Sequence, residues 1–276
     1  MNHAVKIEAR LAELNAHWRM HGWQATIDES DHRSRVRQNG IEFLATSGRM
    51  VLPICLNNGY YNRATVHRLV TFAAGFSRSV SFFFTDGPSK HNYLAMGKSL
   101  KEAERKCHRH FNRLRNFCES GVEALQSGND VSFDLDLHRW TKIYKRLDWK
   151  REHAYLRELY RSNEAFRADV RSATFLVLER RIGKTEDLEQ RTEIAIEYTL
   201  EELAFILIAP TRLAELENSK AGVGKIEKAE AQFSYIYYEP WPVMERLVDG
   251  YYDSIVRWNI GFCVLDIAVM PVTPDL

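Results

Sequence analysis

A cysteine stands where an apolar run gives way to a turn. In Met-Val-Leu-Pro-Ile-Cys-Leu-Asn-Asn-Gly-Tyr-Tyr, residues 50–61, Val51 to Ile54 deliver Cys55 to Asn57-Asn58-Gly59. A short apolar run bounded by turn residues reads as a buried strand. Asn and Gly supply the turn because they tolerate positive φ. Residues 63–76 follow, with Val66, Leu69, Val70, Ala73 and Phe76 at a helical period. Strand, tight loop and helix set a nucleophile-type side chain outside the carboxyl end of a strand, where open α/β sheets bind ligands. A lone cysteine after an apolar strand is, as a class, more often a small buried hydrophobe than a nucleophile. On these residues alone both readings stand.

A second stretch carries charge. Lys101, Arg105, Arg109 and Arg113 recur every four residues, so on a helix they form one stripe. Lys98, Lys106 and Arg115 widen it, and His108 and His110 lie beside it. Ser99-Leu100-Lys101-Glu102 has the form of a capping box, which starts this helix and carries it to about Leu125. Ala103, Cys107, Phe111, Leu114 and Cys118 give the other face to a core. No acidic residue occurs between Arg105 and Arg115. A solvated surface helix mixes its signs, whereas a one-sign stripe suits phosphate backbones. Lys142, Lys145, Arg146, Lys150 and Arg151 form a second basic cluster.

Tyr198 and Glu202 are four apart within a strongly helical pattern, residues 188–208, so they share a face. Ile194, Ala195, Leu203, Ile206 and Leu207 around them are core-like. A buried carboxylate needs a partner, and a phenol with a carboxylate suits an ammonium group. The blander reading is a surface glutamate beside Glu197 and Glu201. Tyr235, Tyr237 and Tyr238 lie on an aromatic strand, where alternation sends the first two to one face and Tyr238 to the other.

The elements that hold these residues alternate. Residues 1–20 read as a helix with Ile7, Leu11, Leu14 and Trp18 on one face, and 21–40 as a polar loop or extension. Residues 41–45 read as a short strand, and 79–85 as the clearest strand of the chain, completing a strand–helix–strand crossover. A short helix is expected over 92–96, a strand over 131–135, a short helix over 138–144 and a long helical stretch over 150–181 that breaks near Ser162-Asn163 or Ser172. Pro210 is expected to end the helix begun at Leu188. A strand over 233–238, a helix after Pro240-Trp241-Pro242 and a last strand over 260–270 complete the order. Such alternation predicts an α/β fold, one Rossmann-like domain over 1–276 with a mainly parallel sheet flanked by helices. Within it, 1–40 is an N-terminal helix and extension and 41–276 the core. Ala221-Gly222-Val223-Gly224-Lys225 lacks the spacing of a phosphate loop.

Bulk composition narrows the class. The net charge is +1 over 276 residues, so a nucleic-acid partner must be argued from a local patch. The cysteines are Cys55, Cys107, Cys118 and Cys263, with no C-x-x-C, so reduced thiols in a cytoplasmic protein are expected. No signal peptide is read at the N-terminus, and no apolar run reaches the ~20 residues that cross a bilayer.

Taken in order, these segments resemble the cyclodipeptide synthases, a family with a Rossmann-like fold akin to the catalytic domain of class I aminoacyl-tRNA synthetases. The resemblance spans roughly residues 48–250. Its first segment is Pro53-Ile54-Cys55-Leu56-Asn57-Asn58-Gly59-Tyr60-Tyr61, and its second runs from Phe82 to Gly97. The basic helix is the third. The fourth joins Tyr198-Thr-Leu-Glu-Glu202-Leu to Tyr237-Tyr238-Glu239-Pro240-Trp241-Pro242. Three positions depart: Cys55 stands for the family's serine nucleophile, Pro53 for a glycine, and Tyr238 for a histidine or proline. Tyr198, Glu202, Tyr237 and Asn58 match.

The resemblance implies a tRNA-dependent enzyme that joins two aminoacyl groups into a diketopiperazine by a ping-pong route. The first aminoacyl group would be carried on Cys55 as a thioester. Tyr198 and Glu202 would hold its α-ammonium, and Tyr237 would assist proton transfer during ring closure. Lys98, Lys101, Arg105, Lys106, Arg109, Arg113 and Arg115 would hold tRNA phosphates. Two aminoacyl-tRNAs would be the partners, used in sequence, with no cofactor, no metal and no membrane. Val51, Ile54, Leu203 and Ile206 lean the expectation towards hydrophobic amino acids. The alternative is a tRNA-binding relative that lost catalysis with its serine. A cysteine hydrolase without RNA is disfavoured, since no histidine is evident beside Cys55 and the stripe would go unexplained.

Overall fold

The structure, a computed structural model, describes residues 3–20, 23–27, 34–46, 50–56, 58–77, 79–128, 134–221, 232–237 and 240–269. The chain begins α1 (His3–Arg19), β1 (Trp23–Ile27), α2 (Arg35–Thr46), β2 (Met50–Ile54), α3 (Arg63–Phe76) and β3 (Ser79–Phe84). It continues with α4 (Ser89–Ala95), α5 (Leu100–Gly128), β4 (Asp134–Arg139), α6 (Trp140–Ile143) and α7 (Leu147–Ser162). It closes with α8 (Glu164–Ile182), α9 (Leu188–Ala221), β5 (Phe233–Tyr237), α10 (Pro242–Val248) and β6 (Ile260–Val269).

Local chemistry explains the helix starts. The Asn62 side chain accepts from the Thr65 N–H at 3.0 Å and caps α3. The expected capping box opens α5: Ser99 N–H donates to Glu102 Oε2 at 3.1 Å, and Glu102 N–H donates to Ser99 Oγ at 3.4 Å. Asn163 separates α7 from α8 and caps the latter by accepting from Phe166 N–H at 2.9 Å. The expected buried faces form: Ile7 and Trp18 of α1, and Ala103, Cys107, Phe111, Leu114 and Cys118 of α5, lie in one core beneath the sheet.

The strands lie in the order β1-β6-β5-β2-β3-β4. Every neighbouring pair is parallel except β1 with β6. Setting β1 aside, the order of the five parallel strands is that of a Rossmann sheet, and the direction of winding reverses between β2 and β5. Both faces are covered. Val51, Phe83, Tyr235 and Phe262 point into one core with α9, while Leu52, Ile54, Phe82 and Phe84 point into the other with α3 and α5.

Several sequence expectations need correction. The segment 21–40 is not simply an extension, since it contains β1 and the start of α2, and 41–45 is helix, not strand. Gly40 sits inside α2 for close packing: a Cβ on it would lie 2.1 Å from the Phe262 carbonyl oxygen. Gly261 is as tight, with its Cβ position 2.3 Å from Gly40 N, so two glycines let α2 lie directly on β6. The strand expected over 131–135 is β4, which starts at Asp134 and includes His138, read above as helical. Residues 129–133 fall outside the described set, as do 222–231 with their two glycines, and Tyr238.

Pro210 does not end α9, which runs through it to Ala221. Proline has no N–H for the carbonyl four residues back, Ile206. The Tyr235 hydroxyl supplies the missing donor, bonding Ile206 O at 2.9 Å in the core. A buried carbonyl thus keeps a partner, and the helix continues.

Candidate active site

The pairing of β2 with β5 is short, Met50 with Ser234 and Val51 with Tyr235. Pro53, two residues further along β2, has no N–H to offer either neighbour. The two strands part ahead of their carboxyl ends, and a cavity of about 260 Å³ opens at this switch point. The loop after β2 contributes Cys55, Asn58, Gly59 and Tyr61 to its wall. Val177, Arg180 and Arg181 come from α8, Tyr198 and Glu202 from α9, Tyr237 from the end of β5, and Trp241 and Met244 from the start of α10. Residues that the sequence spreads over almost 200 positions thus meet in one space.

The loop carrying Cys55 is pinned. Thr85, fully buried at the end of β3, donates its N–H to Ile54 O at 3.1 Å and accepts from Leu56 N–H at 3.3 Å. Tyr61 donates its hydroxyl to Pro53 O at 3.1 Å. Asn58, exposed, accepts from Tyr60 N–H at 3.0 Å through its side chain and from Tyr61 N–H at 3.2 Å through its carbonyl. Asn58 therefore shapes the turn that presents the thiol.

Tyr198 and Glu202 sit one turn apart on α9, each 1 % exposed, which removes the surface-glutamate reading. The Tyr198 hydroxyl donates to Cys55 Sγ at 3.3 Å. Neither oxygen of Glu202 has a hydrogen-bond partner, and the Tyr237 hydroxyl is likewise buried without one. Burial raises the Glu202 carboxyl to about 7, opposed by the nearby Tyr198 hydroxyl and the Arg181 charge. Burial, reinforced by the Glu202 charge, pushes the Cys55 thiol up to about 12, with Tyr198, Arg181 and Thr85 pulling the other way. Burial also holds the Tyr237 and Tyr198 phenols well above their ordinary value. A buried acceptor without a donor is costly. The arrangement suits a small ligand that brings N–H donors to Glu202 and an electrophilic carbon to Cys55.

Glu201 faces away from this cavity. It bonds His91 Nε2 at 3.0 Å and accepts the Tyr144 hydroxyl at 2.5 Å, tying α4 and the end of α6 to α9. Among the described residues no histidine lines the cavity. Among the described residues no cluster of three or more His, Cys, Asp or Glu side chains could hold a metal ion, and no helix is long and apolar enough to cross a membrane.

Of the basic helix, Lys98, Lys101, Arg105, Arg109, Arg113 and Arg115 are exposed, and Lys106 is half-buried with Nζ 5.6 Å from the Tyr93 ring. Arg115 pairs with Glu119 at 3.5 Å. Lys101, Arg105, Arg109 and Arg113 have no carboxylate partner among the described residues. The second basic cluster differs, because Arg146 pairs with Asp148 and Arg151 with Glu152.

Two expectations from sequence need revision. Val51, Ile54, Leu203 and Ile206 are fully buried core residues and none lines the cavity. Its apolar wall is instead Val177, Trp241 and Met244, with the Trp241 ring 5.8 Å from that of Tyr198. Arg180 and Arg181 were not foreseen. Nothing in a mixed-charge helix such as α8 singles them out, and only the packing of α8 on α9 brings them here.

Comparison with known proteins sets this geometry in context. A family model described as cyclodipeptide synthase matches residues 37–223. The cyclo(L-leucyl-L-leucyl) synthase of Bacillus subtilis (strain 168) is 24% identical over 215 residues, 75% of this chain and 78% of that protein. A Mycobacterium tuberculosis protein, whose structure relates cyclodipeptide synthetases to type I tRNA synthetases, superposes with a TM-score of 0.62 at 20% identity, covering 88% of this chain and 93% of that one. The cyclodipeptide synthase from Candidatus Glomeribacter gigasporarum, solved bound to Phe-tRNAPhe, superposes with a TM-score of 0.55 at 15% identity, covering 83% and 91%.

Proposed function

This chain belongs to the cyclodipeptide synthase family, whose members are aminoacyl-tRNA-dependent transferases, and from that premise we propose how its own residues perform the reaction. The observation that carries the reading is the buried Glu202 carboxylate without a partner, one helical turn from the Tyr198 that bonds Cys55.

The Cys55 sulfur attacks the ester carbonyl of a first aminoacyl-tRNA. The carbon–oxygen bond to the terminal ribose breaks, the ribose hydroxyl leaves with the thiol proton, and an aminoacyl thioester remains. Glu202 and Tyr198 hold its α-ammonium. That nitrogen must shed a proton before it can attack, and a carboxyl poised near 7 is matched to take it. The freed amine attacks the ester of a second aminoacyl-tRNA, releasing the second tRNA and leaving a dipeptidyl thioester. The amine of the new residue then attacks the thioester carbonyl, closing the ring and returning the thiol. Tyr237, with its unpartnered hydroxyl facing the same cavity, relays the proton in that last step. The esters arrive activated, so ATP and metal enter no step.

Cysteine in place of the family's serine changes the intermediate and not the logic. A thioester is more reactive towards amines than an ester, which favours the two later steps. Burial makes the thiol harder to ionise than a free cysteine, and the Tyr198 hydrogen bond and the Arg181 charge both favour its anion. The cavity wall of Val177, Trp241 and Met244 supports apolar amino acids as substrates. The exposed stripe of α5 supports tRNA docking on that helix. Charged tRNA is a cytoplasmic substrate, which supports a cytoplasmic location. One sheet that takes in β1 supports reading the chain as one domain.

The test is to incubate the protein with charged tRNAs, leucyl- and phenylalanyl-tRNA first, and follow it by intact mass. An aminoacyl adduct is expected that neutral hydroxylamine removes, with a cyclic dipeptide in solution, and Cys55→Ala is expected to abolish both while binding tRNA as before. Adduct surviving in Cys55→Ala would overturn the nucleophile. Bound tRNA with neither adduct nor product would leave a non-catalytic tRNA-binding relative.

A further inference from the structure

Arg181 is not accounted for by the steps above. It lies near the C-terminal end of α8, where a cation is favoured by the helix dipole. One of its terminal nitrogens, Nη2, donates to Leu56 O, the residue after the nucleophile, at a long 3.4 Å. The other, Nη1, is buried and has no partner. No carboxylate pairs with it among the described residues. A guanidinium fork with one prong unused, on the wall of a cavity, is poorly explained by structure alone. Burying one of its N–H groups without an acceptor costs free energy, and anchoring one backbone carbonyl would need only a single donor.

Its position is also a junction. The Arg181 charge acts on Cys55, Tyr198 and Glu202 inside the cavity, and on Tyr93, Cys107 and His110 on the α4–α5 side. Arg180, exposed, lines the same mouth. A nucleic acid whose body lies along the basic face of α5, and whose acylated end reaches Cys55, must pass here. The groups it carries past this point are its last phosphates. A charged guanidinium N–H group left free on Nη1 matches a phosphate oxygen in charge and hydrogen bonding.

We propose that Arg181, with Arg180 beside it, seats the terminal phosphodiester of the tRNA 3′ end, fixing the ester carbonyl against Cys55. This rests on the aminoacyl-tRNA reading above. The partner of Nη1 is then a non-bridging phosphate oxygen. Arg181 is a positioning residue for the nucleic-acid half of the substrate, while Glu202 and Tyr198 hold the amino-acid half.

The experiment uses the full chain and an acceptor-stem minihelix charged with the amino acid that loads the wild type best. Its terminal phosphodiester is either normal or an uncharged methylphosphonate. Below saturation, the methylphosphonate should slow loading of the wild type about tenfold. Arg181→Met should be slowed by a similar factor with the normal minihelix and show no further loss with the methylphosphonate. Arg181→Lys should recover part of the rate. A small aminoacyl thioester without phosphates, the N-acetylcysteamine thioester of the same amino acid, should be slowed less by Arg181→Met than the minihelix is, the smaller loss being the effect of the guanidinium charge on the Cys55 thiol. Loss of the small thioester equal to that of the minihelix in Arg181→Met would mean that the guanidinium acts only on the thiol or the carbonyl, and would overturn the proposal. So would a wild type indifferent to the methylphosphonate, a result that stands even if Arg181→Met fails to fold. A wild type that no charged tRNA loads sinks the family mechanism and this proposal together, whereas a wild type that loads with a normal Arg181→Met sinks only the role of Arg181.

Discussion

The Tyr198 hydroxyl donates to Cys55 Sγ at 3.3 Å although 143 positions separate the two residues. The bond joins α9 to the loop after β2, and both residues line the cavity. It also has a direction. Tyr198 gives its proton to the sulfur, so it supports a thiolate and does not take the thiol proton.

Removing that donor should make the sulfur harder to ionise. Tyr198→Phe is expected to slow alkylation of Cys55 by iodoacetamide at neutral pH, by about tenfold if one charge-assisted hydrogen bond is lost. The rate should be recovered at higher pH. Cys107, Cys118 and Cys263 are buried and should stay unreactive in the folded protein. An unchanged rate for Cys55 would mean that the bond does not bear on its reactivity.

The Glu202 carboxyl predicts how stability varies with pH. Its folded value, about 7, is raised above the ordinary 4.5. The folded state therefore holds this proton longer than the unfolded chain. The stability linked to it is fully present below about 4.5 and is lost as pH rises through about 7. Glu202→Gln, neutral at every pH, should remove this slope. Between pH 5 and pH 8 the variant should gain on the wild type in urea unfolding by up to about 3 kcal/mol. A wild type and variant that run in parallel across that range would count against a buried, unpaired carboxyl.

The basic face of α5 predicts a salt effect. Neutralising Arg105, Arg109 and Arg113 together should weaken tRNA binding and flatten its dependence on salt. The slope of log affinity against log salt should fall by roughly 0.7–0.9 for each phosphate that the helix no longer neutralises. The same changes at Lys142, Lys145 and Lys150 give the comparison. An equal or larger effect there would move the docking surface to the second cluster.

Tyr235 and Pro210 predict a stability rescue. Tyr235→Phe leaves the Ile206 carbonyl buried without a donor and should cost about 1–3 kcal/mol. Pro210→Ala restores an N–H within α9 four residues on. The double variant should be more stable than Tyr235→Phe alone, a coupling that thermal unfolding of the four proteins in the cycle reads directly. Additive losses would show that the hydroxyl does not replace the missing helix bond.

Where period and capping decide an element, the sequence is enough. Strand 79–84, the capping box at Ser99 and the buried faces of α1 and α5 follow from residues a few positions apart, because local hydrogen bonds and a single apolar stripe specify them. The order of strand, loop and helix around Cys55, the shared face of Tyr198 and Glu202, and the one-sign stripe of α5 were legible for the same reason. Pro210 misled, because it carries a local breaking tendency that a distant partner, the Tyr235 hydroxyl, overrides. Tertiary structure alone decided that β2 and β5 are neighbours, that Glu202 is buried while its charge goes unpaired, and that α8 brings Arg181 to the nucleophile. Those facts depend on residues far apart in the chain packing together, and no periodicity in a single sequence encodes which distant surfaces will meet.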